Sequence, residues 1–228
     1  MPDKPSKLYH MVGHRARLRA KFLETKLVEA EALELFLIYV IPRRDVKPVA
    51  RALLRQFGHI HRIIAAPMEE LLRVPGVGEN TAIFLKLLHD LTLRNYNAVL
   101  HDSPIFHNWA TFENYAKSLF DSKTIEEFHV LYLDAGHRLL RDEIHSVGTI
   151  DWSAAYPREI VRRALDTGAT IIILMHNHPG GVTVFSEDDL KTTAELNRML
   201  AAMNITLHDH YLFANGTLYS AKNMNYLK

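Results

Sequence analysis

The chain has 228 residues, 48% of them hydrophobic and 23% charged, enough to bury one large core or two small ones. It has no cysteine, which excludes disulfides and thiolate ligands and leaves His, Asp and Glu to bind any metal. No apolar run approaches the ~18 residues of a membrane span, and the polar stretch Met1–Lys7 lacks the apolar stretch of a secretory signal, so a cytoplasmic location with no membrane partner is expected. The net charge of +1 is unevenly spread: residues 1–97 carry 16 Lys+Arg against 10 Asp+Glu, and the remainder 11 against 16. A basic half joined to an acidic half points to two domains with different partners. The basic half is the candidate for nucleic acid, although the same excess also serves simply to keep a helical domain soluble.

The first half reads as helices. Leu18 to Phe22 sits in the basic stretch Gly13-His-Arg-Ala-Arg-Leu-Arg19, and Ala30 to Tyr39 carries apolar residues at helical spacing until Pro42 stops it. Val46 to Phe57 is amphipathic and ends near Gly58. Met68 to Leu72 leads into Pro75-Gly-Val-Gly78 and a long helix from Asn80 to Arg94. Asn95 to Asn108 breaks the pattern and contains Ser103-Pro104, which places a linker at 98–107 between domains at 1–97 and 108–228. Thr111 to Phe120 opens the second domain with a helix. Phe128 to Asp134 alternates like a strand, and Arg138 to Val147 is its hairpin partner. A helix at Pro157–Thr167, a wholly apolar strand at Thr170–Met175, a helix at Glu187–Met203 and closing strands at Ile205–Ala214 and Thr217–Ser220 complete a mixed α/β layer fold.

The chemistry lies in His176-Asn-His-Pro-Gly-Gly-Val-Thr-Val-Phe-Ser-Glu-Asp-Asp189, directly after the apolar strand. Residues i and i+2 of a strand face one side, so His176 and His178 converge while Asn177 points away. Pro179 and Gly180-Gly181 turn the chain out of the sheet. Ser186 starts a helix, and Asp189 in its first turn comes back over the strand end. Two imidazoles and one carboxylate suit zinc, and three protein ligands leave a fourth position for water, as in catalytic sites. A lone His-x-His pair carries little weight in a chain with 14 His, and Ser186-x-x-Asp189 by itself is a plain helix cap; the combination is what is specific. Such a water needs a base, and Glu126, Glu127, Glu143 and Glu159 are the candidates. Glu126 has the parity of Phe128 and Val130, and Glu127 faces the other way.

His176-x-His178-Pro179, with Ser186 and Asp189 beyond, resembles the motif of JAMM (MPN-type) metalloproteases. More narrowly, His-Asn-His-Pro-Gly, Glu-x-Phe-x-Val-Leu-x-Leu-Asp at 126–134, Gly148-Thr149, Pro157-Arg-Glu-Ile160 and Asp209-His210 resemble the RadC family, over nearly the whole chain. The resemblance implies a zinc-dependent peptidase or isopeptidase. His176, His178 and Asp189 are then ligands, Glu126 the general base and Ser186 the oxyanion donor. Two positions depart from the family's habit: Tyr156 before Pro157, where His is common, and Ala214, where Gly is usual.

Val74-Pro-Gly-Val-Gly-Glu-Asn-Thr-Ala82 resembles the turn of a helix-hairpin-helix, a module that RadC-like proteins also carry. Free N–H groups at such a turn can hold a DNA phosphate without reading sequence, with Gly76 and Gly78 at the tip and Arg73, Arg15, Arg17 and Arg19 supplying charge. The expected protein is therefore α/β: an all-α helix-hairpin-helix domain, then a JAMM/MPN-like mixed sheet flanked by helices. Its expected partners are a peptide or isopeptide substrate and non-specific DNA. The alternative function is a DNA-associated RadC-like factor, in repair or recombination, whose metal domain is a scaffold or acts on another substrate.

Overall fold

The computed structural model describes residues 7–148 and 155–227, without the side chains of residues 7–12, 106, 108, 155 and 156. Residues 1–6, Thr149 and the side chain of Tyr156, named above, lie outside the described residues. The chain forms two compact units that divide between Asp90 and Leu91. The first is helical: α1 (Lys7–Glu24), α2 (Glu29–Val40), α3 (Lys47–Phe57), α4 (Ile60–Ala65), α5 (Met68–Leu72) and the start of α6 (Glu79–Asp102). Val49, Ala50 and Leu53 put one face of α3 into a core with Leu33 and Leu37 of α2, Ile63 of α4 and Leu71 of α5. The six-residue α4 has no counterpart in the sequence reading. It is shorter than two turns, and burial of Ile63 and Ile64 holds it rather than helix propensity.

The break expected at Asn95 falls later. The α6 helix runs on through Asn95, Tyr96 and Asn97 to Asp102 and stops at Ser103-Pro104. Asparagine only lowers helix propensity, whereas proline restricts the residue before it and removes a donor. Ser103 Oγ donates to the Val99 carbonyl in the last turn at 2.9 Å.

In the second unit a short 3-10 turn (Ile105–Asn108) leads into α7 (Trp109–Phe120). Then come β1 (Glu127–Leu133), β2 (Leu139–Val147), α8 (Ala155–Thr167), β3 (Ile171–Asn177), α9 (Glu187–Ala202), β4 (Thr206–Ala214) and β5 (Thr217–Ser220). The sheet order is β2-β1-β3-β4-β5; β3 and β4 are parallel, joined through α9, and the other neighbours are antiparallel. Every residue of β3 is buried, which explains why its sequence is continuously apolar up to His176. One sheet face, with Phe128, Val130, Leu174 and Leu212, packs with Ile160 of α8 and Leu196 of α9. The other, with Leu131, Met175, Tyr211 and Phe213, packs with Phe112 and Tyr115 of α7. The fold is thus α/β, with a mixed five-stranded sheet between helical layers.

Candidate metal centre

The last residues of β3 set the site. His176 is fully buried, opposite Phe128 of β1 and Leu212 of β4. His178 lies one step past the strand, where its N–H donates to the Phe213 carbonyl at 2.9 Å and so prolongs the β3–β4 pairing. Its ring therefore stays on the side of His176, with ring centroids 4.8 Å apart. The loop then folds back under close constraint. Gly181 has φ +77°, and a Cβ there would lie 2.6 Å from Asn215 Oδ1. Asn215 Nδ2 donates to the Gly181 carbonyl at 2.9 Å. At the start of α9 Ser186 and Asp189 form a capping box: the Asp189 N–H donates to Ser186 Oγ at 3.1 Å, and the Ser186 N–H donates to Asp189 Oδ2 at 2.8 Å.

These elements bring three donor atoms together. His176 Nε2 and His178 Nε2 are 3.1 Å apart, and Asp189 Oδ2 is 3.5 Å from the first and 3.7 Å from the second. The three residues form a group able to hold one metal ion. Burial would raise the Asp189 carboxyl, but the His176 and His178 rings and the Ser186 hydroxyl outweigh it and hold it far below the usual carboxylate range. His178 is raised by Asp189, against burial, and Glu126 adds to the rise. His178 Nδ1 donates to the Val182 carbonyl at 2.9 Å, which in the neutral ring leaves Nε2 bare.

The four candidate bases separate cleanly. Glu126 is half-buried, and its charge acts on His178. Glu127 projects to the opposite, α7-side face, where Lys123 Nζ lies 2.6 Å from it and His129 3.5 Å. Glu143 is paired with Arg141 and Arg163, and Glu159 is paired with Arg162 on the surface of α8. The Ser186 hydroxyl donates to Asp189 Oδ2 at 2.7 Å, so donation to a substrate oxyanion requires it to rotate away.

Three further residues make contacts that the motifs do not announce. Asn177, buried at the end of β3, accepts from the Glu127 N–H at 2.7 Å and donates to the Ile125 carbonyl at 3.1 Å, so it clamps both neighbours of Glu126. A polar residue at the end of a buried strand, turned away from the two imidazoles, was its signal. On β4, buried His210 stands 2.8 Å from His176 Nδ1 and 2.7 Å from Thr193 Oγ1 of α9, and Thr193 in turn donates to the Asp189 carbonyl at 2.6 Å. Burial pushes His210 well below the ordinary histidine range. Asp209-His210 is legible as a family mark, but its contact with His176 spans 34 positions and needs the β3–β4 register.

Comparison with known proteins shows the family. Residues 106–226 match the family model described as RadC-like JAB domain. The chain is also 38% identical over 217 residues to the UPF0758 protein SPO0054 of Ruegeria pomeroyi, covering 94% of this chain and 97% of that one. The chain belongs to the RadC family. Of the two departures from the RadC pattern, Ala214 is buried at the end of β4, paired with Thr217.

The family-model match begins at residue 106, past the helical unit in which the remaining candidates sit. Gly76, Gly78 and Arg73 are exposed at the turn between α5 and α6. Gly76 has φ +90°, and a Cβ on it would lie 2.7 Å from Val49 Cγ2, so glycine is required for the turn to pack on α3. On α1, Arg15 donates to the Arg44 carbonyl at 2.8 Å, Arg19 lies over the Tyr39 ring at 5.1 Å and Arg17 is exposed. No helix among the described residues is long and apolar enough to cross a membrane.

Proposed function

We propose that the C-terminal domain is a zinc-dependent peptidase or isopeptidase. The observation that carries this reading is the triangle of His176 Nε2, His178 Nε2 and Asp189 Oδ2, with edges of 3.1, 3.5 and 3.7 Å. Ligand atoms placed tetrahedrally at ~2.0–2.1 Å from zinc lie roughly 3.3 Å apart, close to these edges. Two imidazoles and one carboxylate also match zinc better than the harder magnesium or calcium, which take oxygen ligands. When bound, the ion supplies Lewis acidity that lowers the pKa of a water towards ~7 and polarises a carbonyl.

The chain's own groups do the rest. Glu126 takes the proton from the attacking water; the water oxygen bonds to the carbonyl carbon, the C–N bond breaks, and Glu126 passes the proton to the departing amine. Asn177 holds the backbone on both sides of Glu126. Ser186, once turned from Asp189, would donate to the carbonyl oxygen. The test is hydrolysis of peptide, isopeptide and nucleic-acid substrates by the zinc-loaded protein and by Glu126→Gln. Amide cleavage that falls ~10²–10⁴-fold in the variant, with zinc retained, is expected. Equal activity of the two proteins, or cleavage of nucleic acid alone, contradicts the reading.

A second reading adds DNA contact by the helical unit, favoured by the exposure of Gly76, Gly78 and Arg73 at one turn. Backbone N–H groups there, at the start of α6, suit a phosphate. Binding of the full chain to duplex DNA should fall steeply with salt and weaken in Arg73→Glu. Absence of binding at low salt removes this reading and leaves the first intact.

A further inference from the structure

We propose that His210 and Thr193 are positioning residues that set the tautomer of His176, keeping its Nε2 lone pair free for a metal. The inference rests on the metal-site reading above and concerns residues that never touch the ion. Its basis is a chain of three short contacts whose protons can be assigned from one end.

Thr193 Oγ1 has one proton and lies 2.6 Å from the Asp189 carbonyl, which can only accept. Two oxygens that close without a proton between them repel, so the hydroxyl proton points to Asp189. Thr193 Oγ1 therefore accepts from its other neighbour, His210 Nδ1, at 2.7 Å, and that nitrogen carries a proton. His210 is 1% exposed, and the rings of Phe128 and Phe185 stand against its own at centroid distances of 5.8 and 5.1 Å, surroundings that favour the neutral ring. A neutral ring with its proton on Nδ1 has a bare Nε2. That atom accepts from His176 Nδ1 at 2.8 Å. His176 thus holds its proton on Nδ1 and turns a bare Nε2 toward His178 and Asp189. The relay starts at the backbone of one ligand, Asp189, and ends on the ring of another, His176, so α9, β4 and β3 are locked in one arrangement. Run in reverse, it would put a proton on His176 Nε2, block metal binding and leave the 2.6 Å oxygen contact bare. His178 Nδ1 donates to the Val182 carbonyl, so its neutral ring likewise leaves Nε2 bare, and an ion would sit between two bare nitrogens that lie 3.1 Å apart.

The test is nitrogen NMR of the imidazoles in the metal-free full-length protein at about pH 8, above the ordinary histidine range, together with zinc affinity. His176 and His210 are expected as Nδ1–H tautomers in the wild type. Thr193→Val should leave His210 and His176 as tautomer mixtures and weaken zinc binding by about 10- to 100-fold, the usual effect of an outer partner of a ligand. Thr193→Ser should restore both. A wild-type His176 protonated on Nε2 overturns the proposal, as does Thr193→Val with unchanged tautomers and affinity. If Thr193→Val does not fold, the wild-type tautomers alone decide. A wild type with the assigned tautomers and no zinc affinity would contradict the metal-site reading and leave the relay standing.

Discussion

Asn177 shows what a single side chain contributes beyond its place in a motif. Alternation along the strand correctly turns it away from His176 and His178, but what it faces is Ile125 and Glu127, 50 or more positions away in sequence. Asn177→Ala leaves a buried N–H and a C=O without their partner, which should lower stability by about 1–3 kcal/mol. It should also loosen Glu126 while leaving the three ligands in place. Thermal unfolding and zinc content of the variant check this: a fall in melting temperature with zinc retained is expected, and loss of zinc would show that Asn177 supports the ligands instead. A second buried group carries a pH signature. His129 lies between Asp142 (3.1 Å) and Glu127 (3.5 Å), with Lys123 on Glu127, Tyr115 on Asp142 and the Phe120 ring edge-on to it. Burial opposes its charge, but the two carboxylates prevail and push its pKa up to about 9. The folded value lies above the unfolded value of ~6.5, so the stabilisation is fully present below ~6.5 and is lost as pH rises through about 9; it is on the order of 3 kcal/mol. Urea unfolding of the wild type against His129→Gln over that interval should show the gap between them closing with rising pH, and a constant gap would refute the assignment.

At the scale of elements, what was legible followed burial. The apolar run before His176 reads as a central strand because both its faces are covered, and Ser186-x-x-Asp189 reads as a helix start because the capping pair is local in sequence. That Glu126 and Glu127 face opposite ways was equally legible, because it needs only strand alternation; which of them faces the histidines was not. The α4 helix was not, because tertiary packing decides it, and the run of α6 through Asn95–Asn97 was not, because asparagine lowers helix propensity without ending a helix. Ser186→Ala tests the capping box directly. It removes an acceptor for the Asp189 N–H and a donor to Asp189 Oδ2, and should cost ~1 kcal/mol and weaken zinc binding. Thermal melts and zinc titration read the two effects, and unchanged zinc affinity would show that the box matters to α9 alone. In the helical unit Gly76→Ala forces a Cβ toward Val49 at positive φ and should destabilise by more than ~1 kcal/mol, whereas Gly78→Ala meets nothing within 4 Å. Equal melting of the two variants would contradict this account of the turn.

For the molecule as a whole, the charge asymmetry and the two compact units point the same way: a basic helical unit, and an acidic α/β unit that carries His176, His178 and Asp189. The family was legible because its motif residues are local in sequence; the relay through His210 and the clamp of Asn177 depend on strand register and appear only in the folded chain. The central claim is that His176, His178 and Asp189 together hold one zinc ion. Elemental analysis of the purified chain and of His176→Ala, His178→Ala and Asp189→Ala, each shown to be folded by circular dichroism, tests it most directly. About one zinc per wild-type chain, none in either histidine variant and a reduced amount in Asp189→Ala is the predicted result. A folded wild type that stays free of metal after zinc is supplied at neutral pH would contradict it.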